Sequence, residues 1–285
     1  MQNEEIILLF DIGNTHTHLG LADGKRVVKM ADIPTRAWFD GTAAARVKKF
    51  AGAKKIAGAV LSSVVPRATP QAKKLAAQIG APVSDAARRG RFSKRAGSET
   101  GVPLIELTPK TLRGVGIDYP QPNSIGPDRL ANAVAAKFHF GAPVVVVDFG
   151  TAVTFDVVNS KGDYVGGIIA PGLAAMTDYL HEKTALLPKI KIREIKSAIG
   201  KSTEAAMLIG AVQGYRGLVR GLISELKREL RAKKLPVVAT GGYAKLIAAR
   251  LPEISGVEPD LTLEGLRLVW EGNKGLMRRM GLMDE

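Results

Sequence analysis

The stretch that decides the fold is LLFDIGNTHTHLGLADGK, residues 8–25. It begins as an apolar segment and continues into Asp11, Gly13 and several hydroxyl and histidine side chains, and a second turn follows at Asp23-Gly24. Apolar runs that are bounded by glycine and aspartate are typical of strands joined in a β-hairpin. We therefore predict one strand before Gly13 and another between Gly13 and Asp23-Gly24.

The same pattern occurs a second time in the chain. Residues 7–28 read ILLFDIGNTHTHLGLADGKRVV, and residues 144–165 read VVVVDFGTAVTFDVVNSKGDYV. Each has an apolar strand, Asp-x-Gly, hydroxyl residues, a second strand, a turn and a third strand. The equivalent positions are Asp11 and Asp148, Gly13 and Gly150, and Asn14-Thr15 and Thr151-Ala152. This repeat predicts two related lobes, each of which opens with a β-hairpin meander.

The residue types after each first strand are suited to the phosphate groups of a nucleotide. A glycine at a strand end lets a phosphate approach the backbone, where free N–H groups and hydroxyls can hold its oxygens. A carboxylate at the same place, Asp11 or Asp148, suits a cation that bridges to the phosphate. We therefore expect the two loops to face each other across a cleft and to hold one phosphate tail from both sides.

The composition is that of a folded globular protein. The chain has 285 residues, of which 46% are hydrophobic, enough for one large domain or two smaller ones. No apolar run reaches the roughly 18 residues of a membrane span, and we expect no signal peptide. Cysteine is absent, which excludes disulfides and thiol catalysis and favours a cytoplasmic location.

The net charge of +14 raises the question of nucleic-acid binding. One basic cluster consists of Arg88, Arg89, Arg91, Lys94 and Arg95. Phe92 is its one aromatic residue, and no nucleic-acid-binding motif accompanies it, so nucleic-acid binding is not expected as the main function. A basic surface would also attract an anionic substrate.

The rest of the chain also favours two α/β lobes. We predict a strand over 56–64 and a helix over 66–80 in the first lobe, and a long amphipathic helix over 202–231 in the second. Residues 235–248, LPVVATGGYAKLIA, read as a strand, Thr240-Gly241-Gly242 and a helix. The proline-rich segment 116–127 suggests the boundary, so we expect one lobe over residues 1–120 and another over 121–285.

Two further patterns resemble known sites but do not fit them. IGKST at 199–203 resembles the end of a P-loop, but the position that needs a glycine is Ile195. His16 and His18 are two residues apart and can share one face of a strand, but no third zinc ligand lies at a suitable spacing. We therefore expect neither a P-loop nor a zinc site.

Asp128 and Arg129 begin a predicted helix in SIGPDRLANAVAAKFHFG, residues 124–141. One interpretation is structural: the carboxylate stabilises the helix N-terminus and the arginine is solvated. The other is chemical, because the pair lies between the two phosphate-type loops in sequence. A carboxylate there could accept a proton from a substrate hydroxyl, and phosphoryl transfer needs such a base together with positioning and charge neutralisation.

These motifs together resemble the type III pantothenate kinases, of the acetate and sugar kinase/heat-shock chaperone ATPase/actin superfamily. The resemblance extends over nearly the whole chain, and its motifs occur in compatible order. They are DIGNTHTHLGL, GPDRLANAVAA, VVVDFGTAVTFDVV, GGIIAPGL, LPKI, IGKSTEAAMLIGAVQGY, ATGGYA and DLTLEGLRLVWEGN. The resemblance implies two ribonuclease-H-like lobes with the active site in the cleft, a homodimer, and ATP-dependent phosphorylation of pantothenate to 4′-phosphopantothenate, the first step of coenzyme A synthesis.

The resemblance also implies roles for individual residues. Those for ATP are Asp11, Ile12, Gly13, Asn14, Thr15, His16, Thr17, His18, Thr151, Gly241 and Gly242. Those for pantothenate are Tyr119, Gly126, Pro127, Asp128, Arg129 and Thr203, with Asp128 as the proton acceptor. Asp148 would hold a monovalent cation, potassium or ammonium, and Asp11 is a candidate ligand of the Mg²⁺ that accompanies ATP.

The chain departs from the family pattern at two places. His16-Thr17-His18 replaces the usual residues of the first loop, and Pro127 stands where alanine is usual in the substrate motif. Two alternatives also stay open. One is a kinase for another small hydroxylated acid or sugar, because phosphate loops do not choose the acceptor. The other is a nucleotide-binding regulator that uses its basic surface to bind nucleic acid.

Overall fold

The structure, a computed structural model, describes residues 5–79, 102–280 and 282. The chain forms two compact units. Unit 1 contains Met1–Gly114, Gln121–Val134 and Thr262–Glu285, and unit 2 contains Val115–Pro120 and Ala135–Leu261. Both units are discontinuous in sequence, because residues 115–120 belong to unit 2 and residues 121–134 and 262–285 belong to unit 1. The basic cluster at Arg88–Arg95 lies outside the described residues.

Unit 1 is built on a five-stranded mixed sheet with strand order β3-β2-β1-β4-β5. The strands β1 and β2 are antiparallel, as are β2 and β3, whereas β4 and β5 are parallel to β1. The strands are β1 (Ile6–Ile12), β2 (His16–Ala22), β3 (Val27–Pro34), β4 (Ile56–Ser63) and β5 (Leu104–Glu106). The helices are α1 (Ala43–Ala51), α2 (Thr69–Ile79), the first half of α3 (Pro127–Phe140) and, from Thr262 onward, α8 (Leu261–Arg279). The predicted hairpin and the strand over 56–64 are confirmed.

The two faces of this sheet carry different helices because side chains alternate along each strand. Leu8 and Phe10 of β1 pack into a buried core with α1 and α2. Leu9 points to the opposite face, where it lies beside Leu263 of the C-terminal helix α8 (Leu261–Arg279). Both faces are thus covered, which explains why β1 is buried along its whole length.

Unit 2 repeats this arrangement in a six-stranded sheet of order β11-β10-β7-β8-β9-β6. Its strands β7, β8 and β9 are antiparallel neighbours, and β10 and β11 are parallel to β7. The strands are β6 (Gly116–Ile117), β7 (Val144–Phe149), β8 (Ala152–Val158), β9 (Asp163–Pro171), β10 (Val237–Thr240) and β11 (Gly256–Val257). The helices are α4 (Leu173–Lys183), α5 (Thr203–Ile209), α6 (Tyr215–Glu229) and α7 (Ala244–Ala248). In each sheet three successive strands pair in order, β1-β2-β3 and β7-β8-β9, and two later strands lie on the other side of the first of them, which confirms the predicted repeat. The strand β6 extends the second sheet beyond β9.

The predicted helix over 202–231 is interrupted. Ser202 caps α5, because its hydroxyl accepts a hydrogen bond from the Ala205 N–H at 3.2 Å. A π-helical turn over Gly210–Gly214 then separates α5 from α6. A single π turn inside a helix involves few residues and leaves helical segments on both sides, so the apolar pattern of the sequence does not reveal it. Among the described residues, no helix is long and apolar enough to span a membrane.

Candidate functional site

The turn between β1 and β2 forms a compact loop in unit 1. The Gly13 N–H donates to the His16 carbonyl at 3.0 Å, and a Cβ at Gly13 would lie 3.1 Å from that same oxygen. Thr35, the residue after β3, holds the loop, since its hydroxyl donates to the Gly13 carbonyl at 2.6 Å and its N–H to the Thr15 carbonyl at 3.0 Å. Asn14, Thr15 and His16 remain exposed. The loop therefore presents polar groups to a ligand on a backbone that is held from behind.

The predicted ATP residues of this hairpin divide between the two faces of the sheet. Asp11 lies opposite His18 in the β1–β2 register, and Ile12 lies opposite Thr17. Ile12 and Thr17 are fully buried, and the Thr17 hydroxyl accepts a hydrogen bond from Trp38 Nε1 at 3.0 Å. The structure thus places the side chains of Ile12 and Thr17 in the core with α1 and α2. Their backbone alone remains near the loop.

Asp11 is a buried carboxylate, 8% exposed, on the face that also carries His18. Its Oδ1 accepts a hydrogen bond from the Ser62 hydroxyl at 3.0 Å, and Ser62 is its register partner on β4. The sequence analysis missed Ser62. The sequence did contain a signal for Ser62, because the predicted strand β4 ends with two serines. Since β4 is parallel to β1, the ends of the two strands lie at the same edge of the sheet.

The two histidines are exposed and lie on one face of β2, as expected from their spacing. The Nδ1 atom of His18 lies 2.7 Å from Asp32 Oδ1 on β3. Within the ranges that the structure describes, no group of three His, Cys, Asp or Glu side chains could hold a metal ion. His18 is thus paired with a carboxylate of the neighbouring strand.

In unit 2, the second Asp-x-Gly loop meets the Thr240-Gly241-Gly242 turn. Asp148 pairs with Thr240 in the β7–β10 register. Gly241 has a positive φ of 88°, and a Cβ there would lie 2.5 Å from Asp148 Oδ1 and 2.7 Å from the Phe149 nitrogen. Glycine is required at this position on both counts. A Cβ at Gly150 would also lie 3.7 Å from Asp148 Oδ1, so this carboxylate lies between two glycine backbones.

These features fit a phosphate that is accompanied by a cation. The backbone at Gly150 and Gly241 carries no side chain that would keep a phosphate away, and the space around Gly242 is open. Asp148 is half-buried and anionic, so a cation beside it would offset repulsion from phosphate oxygens. Thr151 is exposed at the same turn. The donor set consists of carboxylate, hydroxyl and backbone oxygens, which suits a hard cation.

Asp128 begins α3 in unit 1. The half-buried carboxylate accepts the Arg129 N–H at 2.9 Å and lies against Gly126, where a Cβ would collide with Asp128 Oδ1. Burial raises the pKa of the Asp128 carboxyl above its ordinary value, and the Arg129 N–H and guanidinium offset part of that effect. A carboxylate with a raised pKa is a better proton acceptor than an ordinary aspartate. Gly126 and Asp128 of the predicted substrate motif are thus in direct contact.

The other two predicted substrate residues lie in unit 2. Tyr119 packs over Gly166 of β9, whose φ is 117°, and its ring centroid is 6.2 Å from that of Tyr164. Thr203 is the exposed first residue of α5, directly after the Ser202 cap. The cap fixes the backbone at Thr203 while its own side chain remains accessible.

Comparison with known proteins identifies the family. A family model described as type III pantothenate kinase matches residues 7–225. A type III pantothenate kinase of Akkermansia muciniphila is 42% identical over 262 residues, covering 92% of this chain and 96% of the relative. A type III pantothenate kinase of Syntrophotalea carbinolica is 36% identical over 277 residues, covering 95% of this chain and 100% of the relative.

A solved structure supports the same fold. It is a Campylobacter jejuni protein described as a Baf family transcriptional activator, with a TM-score of 0.54, 17% identity and coverage of 94% of this chain and 99% of that chain. At that identity the likeness concerns the fold alone. From the family model and the two full-length relatives, the chain belongs to the type III pantothenate kinase family, within the actin-like ATPase superfamily.

Proposed function

We propose that this chain transfers the γ-phosphoryl group of ATP to pantothenate, with Asp128 as the proton acceptor. Family membership supports the reaction and its place in coenzyme A biosynthesis. The observation that carries the role of Asp128 is its placement at the start of α3, against Gly126, with a pKa raised by burial. The resemblance of GPDR, residues 126–129, to the family's substrate motif supports the same role.

Asp128 accepts the proton of the pantothenate primary hydroxyl as that oxygen forms a bond to the γ-phosphorus of ATP. The bond from the γ-phosphorus to the bridging oxygen breaks, and ADP leaves with the electron pair. Little covalent chemistry is then left to the protein, so positioning and charge neutralisation supply most of the acceleration.

The two hairpin loops would hold the phosphates. In unit 1 we assign this role to the backbone of Gly13 to Thr15 and the exposed side chains of Asn14, Thr15, His16 and His18. Asp11, fixed by Ser62, is the candidate ligand for the Mg²⁺ of ATP through water. Ile12 and Thr17 would contribute through their backbone alone, because their side chains are buried.

In unit 2 we assign the same role to Thr151, Gly241 and Gly242. Asp148 would hold potassium or ammonium beside the phosphates, where a cation neutralises charge as the transferred group moves. Arg129, Tyr119 and Thr203 complete the proposed pantothenate site, with Arg129 offering fixed donors to the pantothenate carboxylate. Gly126 and Pro127 would shape the backbone before Asp128.

We also propose that the protein is a cytoplasmic homodimer. Support for the dimer comes from an apolar surface on α4, where Met176, Tyr179 and Leu180 are 36%, 61% and 39% exposed. Large exposed apolar side chains grouped in this way mark interaction surfaces more often than free surface. Sedimentation analysis of the purified chain tests the proposal, and a monomer at micromolar concentration contradicts it.

Release of ADP tests the acceptor. We expect rapid release with pantothenate and slow release with a panel of other hydroxy acids and sugars. A matched panel member that supports faster release than pantothenate would favour the kinase for another hydroxylated acid or sugar. If no acceptor stimulates ADP release, the proposed function is wrong.

A further inference from the structure

One motif has no part in the proposed chemistry. DLTLEGLRLVWEGN, residues 260–273, forms most of α8 and lies more than 100 residues after Asp128 in sequence. In the structure this helix belongs to unit 1, as do Asp128 and the first half of α3. Its contacts show what it does there.

Gly265 brings the backbones of α8 and α3 into direct contact. A Cβ at Gly265 would collide with the Ala131 carbonyl oxygen, and it would lie 2.5 Å from the Ala131 carbonyl carbon and 2.9 Å from its Cα. All three are backbone atoms, so no change of rotamer can make room. A side chain at Gly265 therefore requires one helix to move.

A hydrogen bond joins the same two helices beside that contact. The Thr262 hydroxyl donates to Asn132 Oδ1 at 2.7 Å, and Asn132 is 1% exposed. Ala131 and Asn132 follow Asp128 by three and four residues, so both lie one helical turn from it on the same side of α3. Contacts at these two residues set the position and the rotation of the turn that carries Asp128.

The helix α8 is itself fixed to the rest of unit 1. Arg267 Nη1 donates to the Gly24 carbonyl at 3.0 Å in the β2–β3 turn, and Asn273 Nδ2 donates to the Thr111 carbonyl at 2.9 Å. The ring of Trp270 occupies the space that a side chain at Gly58 of β4 would need. The helix α8 thus connects the α3 turn that carries Asp128 to the sheet that carries Asp11.

We propose that Gly265 and Thr262 are positioning residues for the phosphoryl-transfer reaction, which hold the α3 turn that carries Asp128 at its working position. The proposal rests on the proposed function, in which Asp128 accepts the proton. Displacement of a reacting group by about 1 Å can lower a rate by about 100-fold. Neither residue touches the substrate in this account.

Two alanine substitutions in the same helix test the proposal. Gly265→Ala and Gly275→Ala both replace a glycine of α8, but a Cβ at Gly275 meets nothing within 4 Å. Both gain the same helix propensity. We expect Gly275→Ala to keep the wild-type kcat, and Gly265→Ala to lose about 10- to 100-fold in kcat with pantothenate. The KM for ATP should not change in either variant.

A second pair guards against a Gly265→Ala protein that does not fold. Thr262→Val removes the hydroxyl at constant shape, and Thr262→Ser keeps it. We expect a lower kcat in Thr262→Val and recovery of most of it in Thr262→Ser. The valine variant should also melt at a lower temperature, because the buried Asn132 Oδ1 loses this donor, so kcat per folded molecule is the deciding readout. A purely structural role would lower the melting temperature of the valine variant and leave the kcat of its folded fraction unchanged, and that result overturns the proposal.

The Asp128→Asn variant, assayed alongside, separates the two ways to fail. If Asp128→Asn turns over like the wild type, the proposed base is wrong. If Asp128→Asn is impaired while Gly265→Ala matches Gly275→Ala and Thr262→Val matches Thr262→Ser, the base stands and the positioning role of α8 is wrong.

Discussion

The hairpins of unit 1 and unit 2 begin with the same strands and Asp-x-Gly turn, yet their aspartates have different neighbours. Asp11 is paired with Ser62 of β4 and accepts its hydroxyl hydrogen bond. Asp148 is paired with Thr240 of β10, and the glycine that follows lies against its carboxylate. The register partner carries a hydroxyl in both units, but the residue that follows it is Ser63 in unit 1 and Gly241 in unit 2.

This difference shows how a repeated fold acquires two chemistries. Strand order and the position of the aspartate are equal in the two sheets. The residue that follows the register partner then differs, and in unit 2 its glycine backbone lies against the carboxylate. The glycine in unit 2 suits close approach of a phosphate and its cation to the backbone.

The largest expected effect on this comparison comes from Gly241→Ala. The new Cβ would meet Asp148 Oδ1 and the Phe149 backbone, and the positive φ would add strain of about 1–3 kcal/mol. We expect kcat/KM for ATP to fall by about 100-fold, from steady-state rates on folded protein. Gly13→Ala, whose Cβ would meet the His16 carbonyl alone, should cost less. Equal losses would remove the difference between the loops.

The cation dependence should depend on Asp148 and not on Ser62. Replacement of potassium by tetramethylammonium at constant ionic strength should lower the wild-type rate by about 10-fold or more, because charge beside the phosphates is no longer offset. The Asp148→Asn variant should be slow in both salts. Ser62→Ala should keep the wild-type response to the salt. A rate that does not change with the cation in the wild type would contradict the assignment of Asp148.

Thr17 and Thr15 provide a matched pair within the first hairpin. Thr17→Val leaves the Trp38 indole N–H without its acceptor and should cost about 1–3 kcal/mol of unfolding free energy, with no change in the KM for ATP. Thr15→Val changes an exposed side chain of the loop, so we expect a higher KM for ATP and a smaller loss of stability than in Thr17→Val. Urea unfolding and steady-state kinetics separate them, and an unchanged KM in Thr15→Val would contradict the loop's role.

The smallest expected effect is the pH dependence of stability at Asp128. Since burial raises the pKa of this carboxyl, folding favours its neutral form. Its contribution to stability is therefore complete below the ordinary aspartate pKa of about 3.9 and is lost as pH rises through the folded pKa. The difference in melting temperature, Asp128→Asn minus wild type, should rise with pH over that window and then level off. A difference that falls with pH would mean that the fold favours the carboxylate.

The sequence was informative where the fold depends on local patterns. The repeat at 7–28 and 144–165 predicted both meanders because apolar strands, Asp-x-Gly and the glycine turn are short-range features. The place of α8 in unit 1 depends instead on a long-range fit of Gly265 to Ala131 and of Trp270 to Gly58, which no local pattern contains. The opposite faces of Asp11 and Thr17 follow from strand alternation once the register is known, and the sequence analysis treated the loop as one cluster.

The most direct test of the account is the turnover of Asp128→Asn with pantothenate and ATP. The substitution keeps the shape of the side chain and removes its capacity to accept the proton. General-base catalysis contributes about 10²–10⁴-fold, so we expect kcat to fall by that factor while calorimetric binding of pantothenate is nearly unchanged. A folded Asp128→Asn protein that turns over within a few-fold of the wild type would contradict the central claim that Asp128 is the base.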